Sequence, residues 1–185
     1  RLGLVGDEGE GCDALAVGEG AAYCIVESHE GASARGAKVL AEIAGYGTSF
    51  VPPPSEALLV HPSGRATQNA IAGALQDAEL DAASVDLVIG SASGLAPFDE
   101  AERGALDHLR IAAIQTSLKH VIGESFGAAG ALSMMAALVA LEDGRCPAAL
   151  GISDAPVRNV LLTTFGYYGN ASAVILRAAP DLSKG

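Results

Sequence analysis

Apolar positions recur at helical spacing over residues 65–80, where Ala, Ile, Ala and Leu mark one face of "RATQNAIAGALQDAEL", and the pattern predicts an amphipathic helix. A short, wholly apolar run follows in "ASVDLVIG", residues 83–90, which reads as a buried strand. Residues 97–109 return to helical spacing, 112–122 read as a mostly apolar extended segment, and 127–144 form a long helix. "AALGI" at 148–152 and "NVLLTTFG" at 159–166 predict strands, and 171–177 pairs back after a turn at Tyr167-Tyr168-Gly169-Asn170. Before these alternating elements, residues 19–27 predict an apolar strand, and 38–50 a β-rich run with a bend at Gly45 and Gly47. Pro52-Pro53-Pro54 then imposes a loop.

Strand–helix alternation implies an α/β protein with a largely parallel, buried sheet. The helix after Gly127 carries no charge up to Leu141, so every side of it needs cover. A helix between two sheets satisfies that demand better than one on the outside of a three-layer sandwich. About 15 residues span only about 22 Å, short of the roughly 30 Å of a bilayer core, so a buried helix and no membrane span is expected. Neither repeat nor linker divides residues 1–185, which read as a single domain. Arg1 opens the chain, and Leu2-Gly3-Leu4-Val5-Gly6 already resembles the inside of a strand, so the expectation is a chain that begins part-way through a larger fold.

Composition narrows the function classes. The formal charge is −11, and the eleven Lys and Arg residues are scattered. Nucleic-acid binding needs a basic stripe and an anionic membrane repels such a surface, so neither partner is expected. Cys12, Cys24 and Cys146 form no C-x-x-C pair, which points to a reducing cytoplasm and away from disulfides. No metal or other cofactor is expected.

One short motif invites a hydrolase reading. Gly123-Glu124-Ser125-Phe126-Gly127 is a G-x-S-x-G between a strand-like and a helix-like run, the setting of a nucleophile elbow. In that class an acid and then a histidine follow the serine, whereas His29, His61, His108 and His120 all precede Ser125. A glycine-lined turn into a packed helix is the better reading, and an esterase acting through Ser125 is the least favoured of three functions.

Four longer stretches, in order, carry a more specific pattern. They are "VGEGAAYCIVESHEGASARGAKVLAEIAGYGTSF", "VDLVIGSASGLAPFDEAE", "SLKHVIGESFGAAGALSMMAALVALEDG" and "LLTTFGYYGNASAVILR". Together they resemble the C-terminal half of the β-ketoacyl synthases, thiolase-fold condensing enzymes, from Gly11 to Arg177. The resemblance implies a layered α-β-α-β-α body of two related halves, of which this chain supplies the second, usually paired as a dimer. It also places Gly127, Ala128, Ala129 and Gly130 where helix and sheet backbones approach closely.

The same resemblance locates the chemistry. The family holds an acyl chain on a cysteine thiolate and uses two histidines to stabilise the charge formed as a malonyl unit loses carbon dioxide. The histidine positions here are Ser91 and Glu124. A serine hydroxyl donates one weak hydrogen bond, and a carboxylate repels a developing oxyanion unless it is protonated. Lys119 matches the family lysine, with Glu124 as a suggested ion-pair partner. Phe165 and Tyr167 are substrate-pocket candidates, Tyr167 in the place of a gating Phe, and Tyr168 replaces a glycine of that turn. Asp99 and Glu102 are in register with the family's acidic pair and are expected to be surface or helix-capping groups. His120 is off the Glu124 position, and none of the three cysteines sits in a nucleophile motif, which would lie upstream of Arg1.

The implied function is a non-catalytic, chain-length-factor-like subunit. It would pair with a ketosynthase-like subunit, as a hetero- or homodimer, and meet acyl carrier protein through that partner. The alternative is an active condensing enzyme or acyltransferase with a modified site and an upstream Cys.

Overall fold

The computed structural model describes residues 16–58, 60–151 and 155–179. Its elements are α1 (His29–Ala34), β1 (Ala41–Phe50), α2 (Gly64–Asp77), β2 (Leu87–Ile89), α3 (Ala96–His108), β3 (Ile114–Thr116), α4 (Lys119–Ile122), α5 (Ala129–Asp143), β4 (Asn159–Phe165) and β5 (Asn170–Ala178). The five strands form one sheet in the order β1-β5-β4-β2-β3. Strand β2 runs parallel to β3 and β4, while β5 runs antiparallel to both β4 and β1. The sheet is therefore mixed and not largely parallel. The cause is local: the short connection around Gly169 (φ +82°) turns the chain straight back, and a two-strand hairpin is antiparallel by construction.

Side-chain alternation explains why both faces are apolar. Leu87, Ile89, Val160, Leu162 and Leu176 pack toward Ala137, Ala140 and Leu141 of α5. Val88, Leu161, Ile175 and Ala173 pack on the other face against Ala70, Ile71 and Ala74 of α2 and Leu106 of α3. Helices α2 and α3, the sheet, and α5 make three layers.

Small residues set the spacing of α2 on the sheet. A Cβ at Gly47 would stand 2.1 Å from the Ala70 carbonyl oxygen and 2.6 Å from the Ala74 nitrogen, and one at Gly45 2.2 Å from the Ala74 oxygen. The register shifts between Ile43 and Gly45, so the anticipated bend is present, and the glycines also admit the helix backbone. Asp77 Oδ2 accepts from the Tyr46 nitrogen at 2.9 Å and ties the end of α2 to the same point. Gly47→Ala is expected to destabilise the fold by about 2 kcal/mol through overpacking, seen as a lower urea midpoint with an unchanged slope.

Four expectations need correction. Residues 19–27 form no strand, because no strand among the described residues lies beside them to receive their backbone hydrogen bonds; Tyr23 and Ile25 stand 93% and 87% exposed. The described part of 148–152 is a turn after Pro147, closed by Leu150 N donating to Pro147 O at 2.8 Å. The segment 112–122 is extended only over Ile114–Thr116 and then winds into α4. Finally, among the described residues α5 touches a single sheet, with Met135 42% and Val139 47% exposed on its outer side. Together with the 3-10 turn before it, Phe126–Asp143 is long and apolar enough to cross a membrane by length and composition alone. Its inner side packs on β4 through Ala137 and Ala140.

A cleft of about 1050 Å³ lies between the 23–40 segment and α5, lined by Tyr23, Ile25, Leu40, Met135 and Leu138 and by Leu176 of β5. Lys38 Nζ pairs with Glu142 Oε1 at 2.6 Å at its rim. Arg1 to Asp13, with Cys12, lies outside the described residues.

Candidate functional site

Three parallel strands, β2, β3 and β4, end on the same side of the sheet, and the chain leaving each end carries the candidate residues. Ser91 follows β2, Lys119 follows β3, and Phe165 and Tyr167 stand at the end of β4 and just past it. Glu124 lies in the turn between α4 and α5. The carboxyl ends of parallel strands are where an open α/β sheet gathers loops into a pocket.

Four successive backbone amides hold the loop after β2. Glu102 Oε1 and Oε2 accept from the Ser91 nitrogen at 2.9 and 3.1 Å, and Oε2 accepts from the Ala92 nitrogen at 3.0 Å. Asp99, one helical turn earlier on α3, takes the Ser93 and Gly94 nitrogens at 3.0 Å each. Asp99 is thus a loop cap, close to expectation. Glu102 is not a surface group: it is buried, and it also accepts from Thr163 Oγ1 on β4. Burial raises its carboxyl above the ordinary range, against the lowering effect of Thr163, the two amides and Lys119. The signal was in the sequence, since Phe98, Glu102, Ala105 and Leu106 occupy a single helical stripe.

Lys119 joins the two positions at which the sequence comparison expects histidines. Its Nζ lies 2.6 Å from Glu124 Oε2 and donates to Ser91 Oγ at 2.8 Å. The helical turn of α4 directs Lys119 inward, while His120 on the same turn is exposed. Glu124 Oε1 accepts from the Phe126 nitrogen at 2.7 Å, and the Tyr167 hydroxyl donates to Oε2 at 3.4 Å. Burial first, and the Glu124 charge second, push the Tyr167 phenol up to about 12, so it remains a donor at neutral pH.

Aromatic rings wall the cluster. Phe98 stacks on Phe165 at 5.3 Å and meets Tyr167 edge-on at 5.2 Å, and Lys119 Nζ lies 5.6 Å from the Phe165 ring centre. Phe98 and Phe126 were not anticipated as neighbours of the site. Nor was Gly18: the 16–18 segment bonds both ways to the Glu124 backbone (Gly18 N to Glu124 O at 2.9 Å, Glu124 N to Ala16 O at 2.7 Å). A Cβ on Gly18 would fall 1.9 Å from the Ile122 oxygen, which explains a glycine there. Tyr168 does not disturb its turn, because Gly169 takes the left-handed position instead.

The G-x-S-x-G motif does not build an elbow. A four-residue helix precedes it, a 3-10 turn follows, and the positive-φ residues of the motif are Gly123 (φ +79°) and Phe126 (φ +50°), not Ser125. Ser125 Oγ is buried with no hydrogen-bond partner among the described residues, so no base activates it. Cys24 is exposed on the 19–27 segment, and burial raises the Cys146 thiol, away from the nucleophilic thiolate. Among the described residues no cluster of three or more His, Cys, Asp or Glu side chains could hold a metal ion.

The domain model described as "Beta-ketoacyl synthase, C-terminal domain" matches residues 40–153. Over 90% of its length the chain is 32% identical to the actinorhodin polyketide putative β-ketoacyl synthase 1 of Streptomyces coelicolor, covering 40% of that protein. It is 36% identical to nodulation protein E of Rhizobium leguminosarum bv. trifolii over 72% of the chain and 33% of that protein. Its fold superposes on the ishigamide ketosynthase/chain length factor with a TM-score of 0.78 at 28% identity, covering 90% of this chain and 45% of that one. The chain therefore spans less than half the length of these relatives.

Proposed function

The chain belongs to the β-ketoacyl synthase family, whose thiolase-like C-terminal domain it carries, and from that premise we propose that it serves as a non-catalytic, chain-length-factor-like subunit pairing with a competent ketosynthase in polyketide or fatty-acid assembly. One observation carries this reading: Lys119 bridges Ser91 and Glu124 in a buried, charge-neutral cluster. Decarboxylative condensation needs cationic or neutral donors aimed at a developing oxyanion. The resemblance puts a carboxylate, Glu124, in that place, and the Lys119 ammonium beside it is paired. The likeness to a ketosynthase/chain length factor supports the choice of subunit type.

The half-uncovered α5 and the apolar cleft beside it support a body completed by further α/β structure, as the family's two-half architecture implies. A partner ketosynthase would then dock the acyl carrier protein, because this chain, at −11, offers an acidic carrier no basic patch. The place of such work is the cytoplasm.

The test is biochemical. Full-length protein purified alone is expected to release no carbon dioxide from malonyl carrier protein, and to co-purify with a synthase that does. Glu124→Gln should leave the rate of the pair within about twofold, well under 1 kcal/mol of barrier. Decarboxylation by the protein alone, lost on mutation of Glu124 or Lys119, would instead make it a working condensing enzyme with a modified site.

A further inference from the structure

We propose that Glu124 is a tethered carboxylate seated in an anion receptor built by Lys119, Tyr167 and the Phe126 amide, and that it bars carboxylate-bearing acyl units from this site. The inference rests on, and deepens, the reading of the same site as non-catalytic.

Three donors of different kinds converge on one carboxylate. The Lys119 ammonium stands 2.6 Å from Oε2, the Phe126 nitrogen 2.7 Å from Oε1, and the Tyr167 hydroxyl 3.4 Å from Oε2. The side chains of the ion pair are only 9% and 3% exposed. An ammonium, a backbone amide and a phenol at a buried site are what a free carboxylate would need to leave water. The Ser91 hydroxyl accepts from Lys119 and keeps its own proton to donate. Phe126 aims its amide inward only by adopting a left-handed backbone, φ +50°, which an aromatic L-residue adopts reluctantly. The bond to Oε1 compensates for that conformation.

With the receptor filled from within, an incoming malonyl-type carboxylate meets a paired ammonium and a like charge. A neutral acyl chain meets neither, and the partly buried rings of Phe165 and Tyr167 offer it apolar surface. The site thereby separates ligands by charge: carboxylate-bearing units are refused, uncharged acyl chains are admitted.

Removing the tether should open the receptor. Thermal midpoints of the full chain would be followed in sodium formate, sodium malonate and, at matched ionic strength, sodium chloride. Glu124→Ala is expected to be stabilised saturably by formate and malonate but not by chloride, with malonate affinity at least about tenfold above that of the unmodified protein. Adding Lys119→Met should abolish the effect. Should Glu124→Ala not fold, Glu124→Ser, which vacates the place of the carboxylate and keeps a small polar group in the turn, is expected to bind malonate through Lys119 in the same assay. Equal responses of the unmodified protein and the folded variant, or chloride matching formate, would overturn the proposal. Because the readout is ion binding by the isolated chain, such a failure leaves subunit pairing and decarboxylation to be judged separately.

Discussion

Lys119→Met is expected to destabilise the fold by about 3–5 kcal/mol, the cost of leaving a buried carboxylate without its counter-charge. Glu124 is buried, and its backbone is fixed on one side by the 16–18 segment and on the other by the turn into α5, so the side chain cannot swing into water. Ser91 Oγ would lose its donor at the same time. The double variant Lys119→Met/Glu124→Gln is expected to recover most of the loss, because replacing both members of a buried pair removes the uncompensated charge along with the attraction. Urea unfolding of the four proteins gives the coupling directly as a double-mutant cycle. A Lys119→Met protein within about 1 kcal/mol of the parent, the worth of an exposed pair, would show that Glu124 reaches solvent.

The second large effect belongs to Glu102. Glu102→Ala removes the acceptor of the Ser91 and Ala92 amides and of Thr163 Oγ1, and is expected to cost about 3 kcal/mol. Glu102→Gln should cost much less, since its oxygen can take the amides while its nitrogen donates to Thr163. The two variants also separate charge from shape through pH. Burial raises the folded-state carboxyl above its ordinary value of 4.5, so between that value and the folded one the native state binds more protons than the unfolded state. The contribution of the protonated group is complete below about 4.5 and is lost as pH rises through the folded value. Stability of the parent should accordingly fall over that window as pH rises, and Glu102→Gln should remove this part of the slope. A slope unchanged by the substitution would mean that the amides hold Glu102 ionised.

Much of this molecule was legible in its residues, for identifiable reasons. Helices α2, α3 and α5 follow from period and length, and β4 and β5 from apolar runs around a glycine-containing turn. The resemblance to the β-ketoacyl synthases marked Ser91, Lys119, Glu124, Phe165 and Tyr167 as site positions and suggested Glu124 as the ion-pair partner of Lys119.

What failed did so where the outcome depends on a partner distant in sequence. Residues 19–27 have strand-like composition, but a strand exists only when a neighbour accepts its hydrogen bonds, and none of the described strands lies beside them. The sheet as a whole was expected to be largely parallel; β5 pairs back on β4 after Gly169 as its turn predicts, but the distant β1 then adds on β5, also antiparallel, and makes the sheet mixed. Glu102 looked like a surface group because carboxylates usually are; the Ser91 and Ala92 amides and Thr163, the last 61 residues away, make its burial tolerable. The sequence by itself determined the three long helices and the apolar faces of the main elements, and its resemblance implies that a hydroxyl and a carboxylate stand where imidazoles would. Tertiary structure alone decided that one ammonium joins them and that an amide and a phenol close on the same carboxylate, because hydrogen bonds and burial are properties of pairs, and the pairs form only when the chain is folded.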